Sequence, residues 1–367
     1  MKITYITAAF GLAFGMGCAG NTAEDLAVPA AELAESEDAL TGRGPVTAAG
    51  CPAAAAGFRV VACGAPLNAE VAGISVNTVF TSVQLSWDPA GPKDIYSQRF
   101  GSSTASLFVS NVVGFKVAGA ATYWIDASRT TMFRRSVGAT ATRSLPASRT
   151  GARMFGNFDV RGSRLVFLDA GVNGNYLSTG SDLRSPALLT GYTGGFEELP
   201  YIASTGEFYG FAQEGMAQGF LRSFSAAGGA SIAAGGSPQV RSNPVDDTAN
   251  VYILVRGTGF QKLRVFNKST GAIVDRATTV ADAGESYNVM AMGSGRVFIS
   301  RLWGFGGGVR QVLAVETSTG ATSVAFDNAG SGFRMPSYLT YGVFNNTPVV
   351  SANATSGIAQ SVILSAN

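Results

Sequence analysis

Ala121-Thr122-Tyr123-Trp124-Ile125-Asp126 is a run of apolar and aromatic residues that ends on an acid, and Arg164-Leu165-Val166-Phe167-Leu168-Asp169 has the same shape about 43 residues later. Gly119 and Gly162 lie just before the two runs, and Ser128 and Gly171 just after them. This is how a short buried strand between tight turns reads, because branched and ring side chains pack well on a pleated surface. Comparable runs start at Thr78, Glu207, Asn250, Arg296 and Thr347. The seven strands so expected are Thr78 to Trp87, Ala121 to Asp126, Arg164 to Asp169, Glu207 to Ala212, Asn250 to Arg256, Arg296 to Leu302 and Thr347 to Ala352, starting 43 residues apart as far as Asn250 and then 46 and 51 apart.

Each repeat places an apolar-aromatic strand before this one, a short strand after it and then a longer loop. An interval of about 43 residues fits a four-stranded propeller blade and exceeds the repeat of a leucine-rich or hexapeptide solenoid. The fold class expected is all-β, a seven-bladed β-propeller. Six units run from about residue 66 to 328, and the remainder from Gly332 to Asn367 supplies three strands, Phe333 to Tyr341, Thr347 to Ala352 and Gln360 to Ser365. Phe58-Arg59-Val60-Val61-Ala62, within about 58–63, is the expected fourth strand of that last blade. It would join the two ends of the chain and leave no open sheet edge.

Tyr123-Trp124-Ile125-Asp126-Ala127, followed by Met132-Phe133-Arg134-Arg135 and Gly138, resembles the Tyr-Trp-Thr-Asp repeat of low-density-lipoprotein-receptor-type propellers. Val166-Phe167-Leu168-Asp169-Ala170 is a looser copy one blade later. Phe266-Asn267-Lys268-Ser269-Thr270-Gly271 and Val315-Glu316-Thr317-Ser318-Thr319-Gly320 are similar to the strand-turn element of quinoprotein-type and outer-membrane-scaffold propellers. These resemblances imply a fold and not an activity. The first implies that Asp126 and Asp169 make hydrogen bonds between blades. Phe196 with Tyr201-Ile202, and Phe333 with Tyr338-Leu339, share one spacing and are expected to be repeat packing.

The N-terminal region has a different character. Lys2, an apolar stretch from Ile3 to Met16 and then small residues make up a secretory signal over residues 1–17, too short to span a bilayer and be kept. Gly15-Met16-Gly17-Cys18 resembles a bacterial lipobox, which implies lipidation of Cys18; ordinary cleavage near the same place is the alternative. Ala19 after that cysteine is similar to lipoproteins sorted to the outer membrane. The expected location is therefore exported, either periplasmic or on the outer membrane or cell surface.

Residues 18–57 read as an acidic, flexible, lipid-anchored tether, because Ala, Glu, Pro, Gly and Thr there cannot bury enough apolar surface to fold. A coil of that length reaches on the order of 35 Å. Residues 58–367 form the propeller. With Cys18 lipidated, Cys51 and Cys63 remain as an even pair, read as a disulfide worth about 3 kcal/mol by loop closure; two free thiols are the alternative.

Charge and composition narrow the function. Residues 19–42 hold six acids and no base, whereas residues 43–367 hold 25 bases against 18 acids. A basic body suits anionic partners, though the surplus is mostly Arg dispersed over the fold. The chain has no histidine. That excludes Ser-His-Asp and Cys-His nucleophile pairs, His metal ligands and an imidazole base. A calcium site of Asp, Glu and backbone oxygens stays open, but no residue pattern assigns a metal or cofactor.

In a propeller, the loops from one blade to the next and those between second and third strands share one face around the channel. On this reading the face receives Trp87, Asp88, Arg153, Phe196, Glu197, Glu198, Glu285, Tyr287, Trp303, Phe305 and Arg334 as the ligand-binding candidates, with Asp246 and Asp247 on the opposite face. Trp87 and Trp303 suit either stacking on sugars or packing between blades. Glu197 and Glu198 are strand neighbours pointing oppositely, so a carboxylate pair for glycan cleavage would join one of them to Glu285. The function expected is a monomeric binding module for an envelope protein or polysaccharide, attached to the membrane through its lipid and without a nucleic-acid partner. A histidine-free, carboxylate-dependent glycan hydrolase or lyase is the alternative.

Overall fold

The structure is a computed structural model. It describes residues 48–86, 91–144, 154–162, 164–171, 174–181, 185–192, 201–213, 218–224, 230–238, 244–257, 260–280, 290–302, 310–334, 341–354 and 360–366. Among these the regular elements are strands. In chain order they are β1 (Phe58–Pro66), β2 (Glu70–Ser75), β3 (Thr78–Gln84), β4 (Lys93–Arg99), β5 (Ser106–Ala118), β6 (Ala121–Asp126), β7 (Met132–Ser136) and β8 (Arg143–Ser144). There follow β9 (Met154–Arg161), β10 (Arg164–Gly171), β11 (Gly174–Ser181), β12 (Ser185–Tyr192), β13 (Tyr201–Ile202), β14 (Phe208–Gln213), β15 (Gln218–Phe224) and β16 (Ala230–Pro238). The last group is β17 (Val245–Asp246), β18 (Asn250–Gly257), β19 (Phe260–Asn267), β20 (Ile273–Val280), β21 (Met290–Gly293), β22 (Arg296–Leu302), β23 (Arg310–Glu316), β24 (Thr322–Asp327), β25 (Tyr341–Phe344), β26 (Thr347–Asn353) and β27 (Gln360–Ala366).

The strands expected at Ala121 and Arg296 have the expected bounds, and those at Thr78, Arg164, Glu207, Asn250 and Thr347 fall within one to three residues of theirs. Consecutive strands pair antiparallel into sheets β9–β12, β13–β16, β17–β20 and β21–β24, and into a longer sheet β2–β8. In the longer sheet β5 has two partners: its first half, Ser106 to Val112, lies against β4, and its second half, Val112 to Ala118, against β6. The remaining sheet has the order β1-β27-β26-β25, in which the first described strand pairs with the last. Val60 lies opposite Leu364 and Cys63 opposite Val362. The expected strand Phe333 to Tyr341 is corrected at its described start, and 335–340 lie outside the described residues. Phe333 sits in a bend, Arg334 makes an isolated bridge to Asn353, and β25 is described over Tyr341–Phe344. Gly330 and Gly332, both at positive φ, turn the chain just before that bend.

Buried apolar side chains join each sheet to the next. Val166 packs with Ile202 and Phe208. Ala203 and Tyr209 meet Val251 and Ile253, and Tyr252 and Leu254 meet Val297 and Ile299. Phe298 and Phe326 meet Val350 and Leu364, while Val61 and Ile363 meet Val79 of the sheet that begins at Glu70. Phe80 with Trp124, and Tyr123 with Phe158, complete the series. The first strands of the sheets approach closely: a Cβ on Gly73 would lie 2.5 Å from the Val117 side chain, and one on Gly342 would collide with Ile74. Cys51 and Cys63 are bridged, with Cα atoms 5.9 Å apart across 12 residues, which ties the segment before β1 to β1 itself.

Ile363 and Val61 are fully buried where the sheet holding both ends meets its neighbour. Ile363→Ala is expected to lower the unfolding free energy by about 3 kcal/mol through the cavity it leaves. Urea titration followed by tryptophan fluorescence measures this, and a loss below about 1 kcal/mol would contradict the packing described.

Candidate functional site

Of the face expected to bind ligand, Trp87, Asp88, Arg153, Phe196, Glu197, Glu198, Glu285, Tyr287, Trp303 and Phe305 lie outside the described residues. Arg334 is described and exposed, and its backbone exchanges hydrogen bonds with Asn353 at 3.1 and 2.7 Å. Cys18 and the tether up to residue 47 also lie outside the description.

The densest described cluster of charge lies elsewhere, around the two-residue strand β13. So short a strand has little pairing of its own, and carboxylates from the strands on either side hold its backbone. Asp159 on β9 accepts the Ile202 N–H at 2.8 Å and the Lys116 ammonium at 3.0 Å. Asp246, at the end of β17, accepts the Ser204 N–H at 2.6 Å, the Ser204 hydroxyl at 2.5 Å and the Tyr201 hydroxyl. Arg161 on β9 reaches across β13, donating to the Ile202 carbonyl at 3.2 Å and to Asp246 Oδ1 at 2.8 Å. Lys268 completes the set at 2.6 Å from Asp246 Oδ2 and also donates to the Asp247 carbonyl at 2.6 Å.

Lys268 belongs to the strand-turn element Phe266 to Gly271. Asn267 Oδ1 accepts the Ser269 and Thr270 N–H groups at 3.1 and 2.9 Å, and this turn delivers the lysine.

Burial sets the electrostatics. The Asp246 side chain is fully buried and that of Lys268 is 7% exposed, whereas the Arg161 side chain is 45% exposed. Burial alone would raise the Asp246 pKa; hydrogen bonds from Lys268, Ser204 and Tyr201 outweigh it and hold the carboxyl well below its ordinary range. Burial and the bond to Asp246 push the Tyr201 phenol far up, so it stays a donor. For Arg161 burial works the other way, but the hydrogen bond and charge of Asp246 prevail and raise its pKa. Tyr252, buried and bonded to Asp247 at 2.7 Å, is pushed up to about 12. Each carboxylate here is already engaged by fixed donors. The arrangement suits tying strands together and presenting the half-exposed Arg161 at the surface, more than moving protons.

The sequence reading placed Asp246 on the face away from its candidates and gave Asp159, Arg161 and Lys116 no role. Among the described residues Asp159 and Asp246 are carboxylates that bond across neighbouring sheets, a role the resemblance implied for Asp126 and Asp169. Asp126 instead accepts the Ser128 hydroxyl at 2.7 Å within its own turn, and the Asp169 side chain lies outside the description. The usable signal was an acid just before the turn at the end of a first strand, as in Val245-Asp246-Asp247.

No family model matches the chain. No curated protein matches it either. Solved structures do resemble it. An oligogalacturonate lyase from Vibrio parahaemolyticus superposes with a TM-score of 0.60 at 7% identity, over 84% of this chain and 91% of that one. The β-propeller domain of the Trilobed protease from Pyrococcus furiosus, described as having an open velcro topology, gives 0.52 at 8% identity over 84% and 96%. A puromycin hydrolase gives 0.54 at 14% identity over 79% of this chain and 50% of that one, so the chain spans half of that enzyme's length. At these identities the likeness concerns the fold alone, and the fold is that of a β-propeller.

Asp246→Asn removes the charge that Lys268 and Arg161 share, and at pH 7 it is expected to cost about 3 kcal/mol of stability. A carboxyl held below its unfolded value stabilises above that value and loses the contribution as pH falls through the folded one. The gap between wild type and variant should therefore narrow between pH 7 and pH 3 in urea titrations. An equal gap at both would show that the charge contributes nothing.

Proposed function

We propose that the chain is an exported, envelope-held β-propeller of seven four-stranded blades that binds a protein or polysaccharide of the cell envelope. Several observations support the seven-bladed reading. The two halves of β5 pair with different neighbours, as they would if the long sheet were two blades joined by one strand; apolar clusters link each sheet, and the two halves of the long one, to a neighbour; and β1 pairs with β27. Export and anchoring rest on the apolar segment Ile3 to Met16, on Cys18 and on the acidic stretch 19–42 of the tether, whose last residues, 48–57, are bonded to the body through Ala48, Cys51 and Ala55. On this reading the lipid on Cys18 is the membrane attachment, the propeller works as a monomer, and no cofactor or nucleic acid takes part.

One observation favours binding over catalysis. Among the described residues the densest set of charges, around Asp246, is occupied by backbone, hydroxyl and cation donors that tie neighbouring sheets together. Those donors hold the Asp246 carboxyl well below its ordinary range, whereas an acid for glycan cleavage needs a raised one.

The full chain, incubated with a panel of purified envelope polysaccharides and proteins, is expected to co-sediment with one of them and leave its chain length unchanged. Shortening of a glycan with time would instead favour the hydrolase or lyase reading, and retention of none would contradict both.

A further inference from the structure

A cleft of about 500 Å³ opens between the paired halves of the long sheet, bounded by the β2–β3 and β5–β6 turns, the start of β5 and the end of β7. Antiparallel order puts these at one end of the strands. That end is opposite the β3–β4 loop that contains Trp87, so the cleft faces away from the expected ligand face. Its size is that of a small-molecule site.

The chemistry of its walls is lopsided. Arg135 and Arg99 line it, and among the described lining residues none is acidic. The Arg135 guanidinium lies 3.5 Å from the centroid of the Phe108 ring and donates to the Phe108 carbonyl at 2.6 Å, while its Nε is buried without a partner. Burial lowers its pKa, the direction of a cation short of a counter-charge. Phe108 in turn packs edge-on against Phe80 and Trp124, with centroids 5.1 and 5.9 Å away, so the floor is rigid.

Gln98 is the second anomaly. It is 3% exposed, and neither its amide nitrogen nor its amide oxygen has a hydrogen-bond partner. Each such buried group costs about 1–3 kcal/mol. Folded chains rarely keep both halves of an amide in that state without a use for it. Ser97, Ser102, Thr104 and Ser106 also line it, the Ser102 and Thr104 hydroxyls 3.2 Å apart, beside the 56% exposed Leu107.

We infer that this cleft is a binding site for a small anionic sugar. Arg135, its guanidinium carbon 3.5 Å from the Phe108 ring centroid, offers its remaining N–H groups to the carboxylate or phosphate, and Gln98 with the lining hydroxyls meets the hydroxyl groups of the sugar. A stacked guanidinium pairs best with a planar or tetrahedral oxyanion. An amide that donates and accepts at once suits a hydroxyl-bearing ring, whose groups do the same. With no acid among the described lining residues cations are disfavoured, and the Ser, Thr, Asn and Gln side chains of the lining disfavour a purely apolar guest. The inference rests on the reading of the chain as a binding module and adds a site on the other face from the one expected to meet the large partner.

Calorimetric titration of the full chain with glucuronate, glucose 6-phosphate and glucose tests it. At least one of the two anions is expected to bind, at least about tenfold more tightly than glucose, and whichever binds identifies the oxyanion. Equal binding of all three, or of none, would overturn the proposal.

Gln98→Met removes the unpaired amide, and Arg135→Lys keeps the charge but loses the fork. Each is expected to weaken anion binding about tenfold or more, the size of one lost hydrogen-bond pair. Without ligand, Gln98→Met is also expected to raise the thermal midpoint, since a buried polar group without a partner is gone. A lowered midpoint with unchanged anion affinity would make Gln98 a structural residue and overturn the site. Polysaccharide or protein capture by the Gln98→Met chain separates the two claims. Capture retained while the small anion is lost leaves the module reading standing with the cleft as a second site; anion binding without any capture sustains the cleft and removes the larger partner.

Discussion

The pairing of Phe58–Pro66 with Gln360–Ala366 is the interaction on which the remaining architecture depends. Without it β27 would present an open row of backbone donors and acceptors, and the sheet carrying β25 and β26 would lack a strand. The crossing from β1 to β2 is fastened to the same sheet by side chains. The Asn68 N–H donates to Asn353 Oδ1 at 2.9 Å, the Asn353 amide returns a bond to Asn68 Oδ1 at 2.8 Å, and the Ala69 N–H donates to the Ser361 hydroxyl at 3.0 Å. These contacts join residues nearly 300 positions apart, and pairings of such separation slow folding. The Cys51–Cys63 bridge limits the freedom of the incoming segment before they form.

The polar ties around β13 are a second, more local device. A two-residue strand contributes little ladder energy, and Asp159 and Asp246 replace what is missing by capping the N–H groups of Ile202 and Ser204 from opposite sides. Burying Asp246 is costly, and the cost is offset only because a lysine, an arginine, two hydroxyls and an amide converge on it. Such a network fixes which strand lies beside which more than it adds net stability, and it orients Arg161 toward solvent. The cleft beside Arg135 has the opposite character, with buried polar groups left unmatched. That contrast between saturated and unsaturated polar groups is what the binding role proposed for the cleft rests on.

The repeat was legible because it is written in burial. Val166, Val251, Val297 and Val349 are all fully buried on strands at the repeat interval, and residues with so little freedom of choice leave a pattern. The joining strand was legible for the same reason, since Val60, Val61 and Ala62 are an apolar run with no partner nearby in sequence. The start of the last blade was misjudged because Phe333, though 8% exposed like a strand residue, is buried by a bend. Aromatic character marks burial and not geometry. The tie at Asp246 was hidden because a lone acid before a turn looks like any solvated loop charge, and only tertiary contact with Ser204 and Lys268 distinguishes it. The Gln98 cleft has no sequence signature at all, for an unpaired amide is defined by what surrounds it in space.

Amide hydrogen exchange read by mass spectrometry tests the joining strand most directly. The amides of residues 58–66 are expected to exchange as slowly as those of 360–366, and both are expected to be released together in the global unfolding event. Exchange of 58–66 orders of magnitude faster than 360–366 under native conditions would mean that the first strand is an ornament and that the fold does not depend on the meeting of its ends.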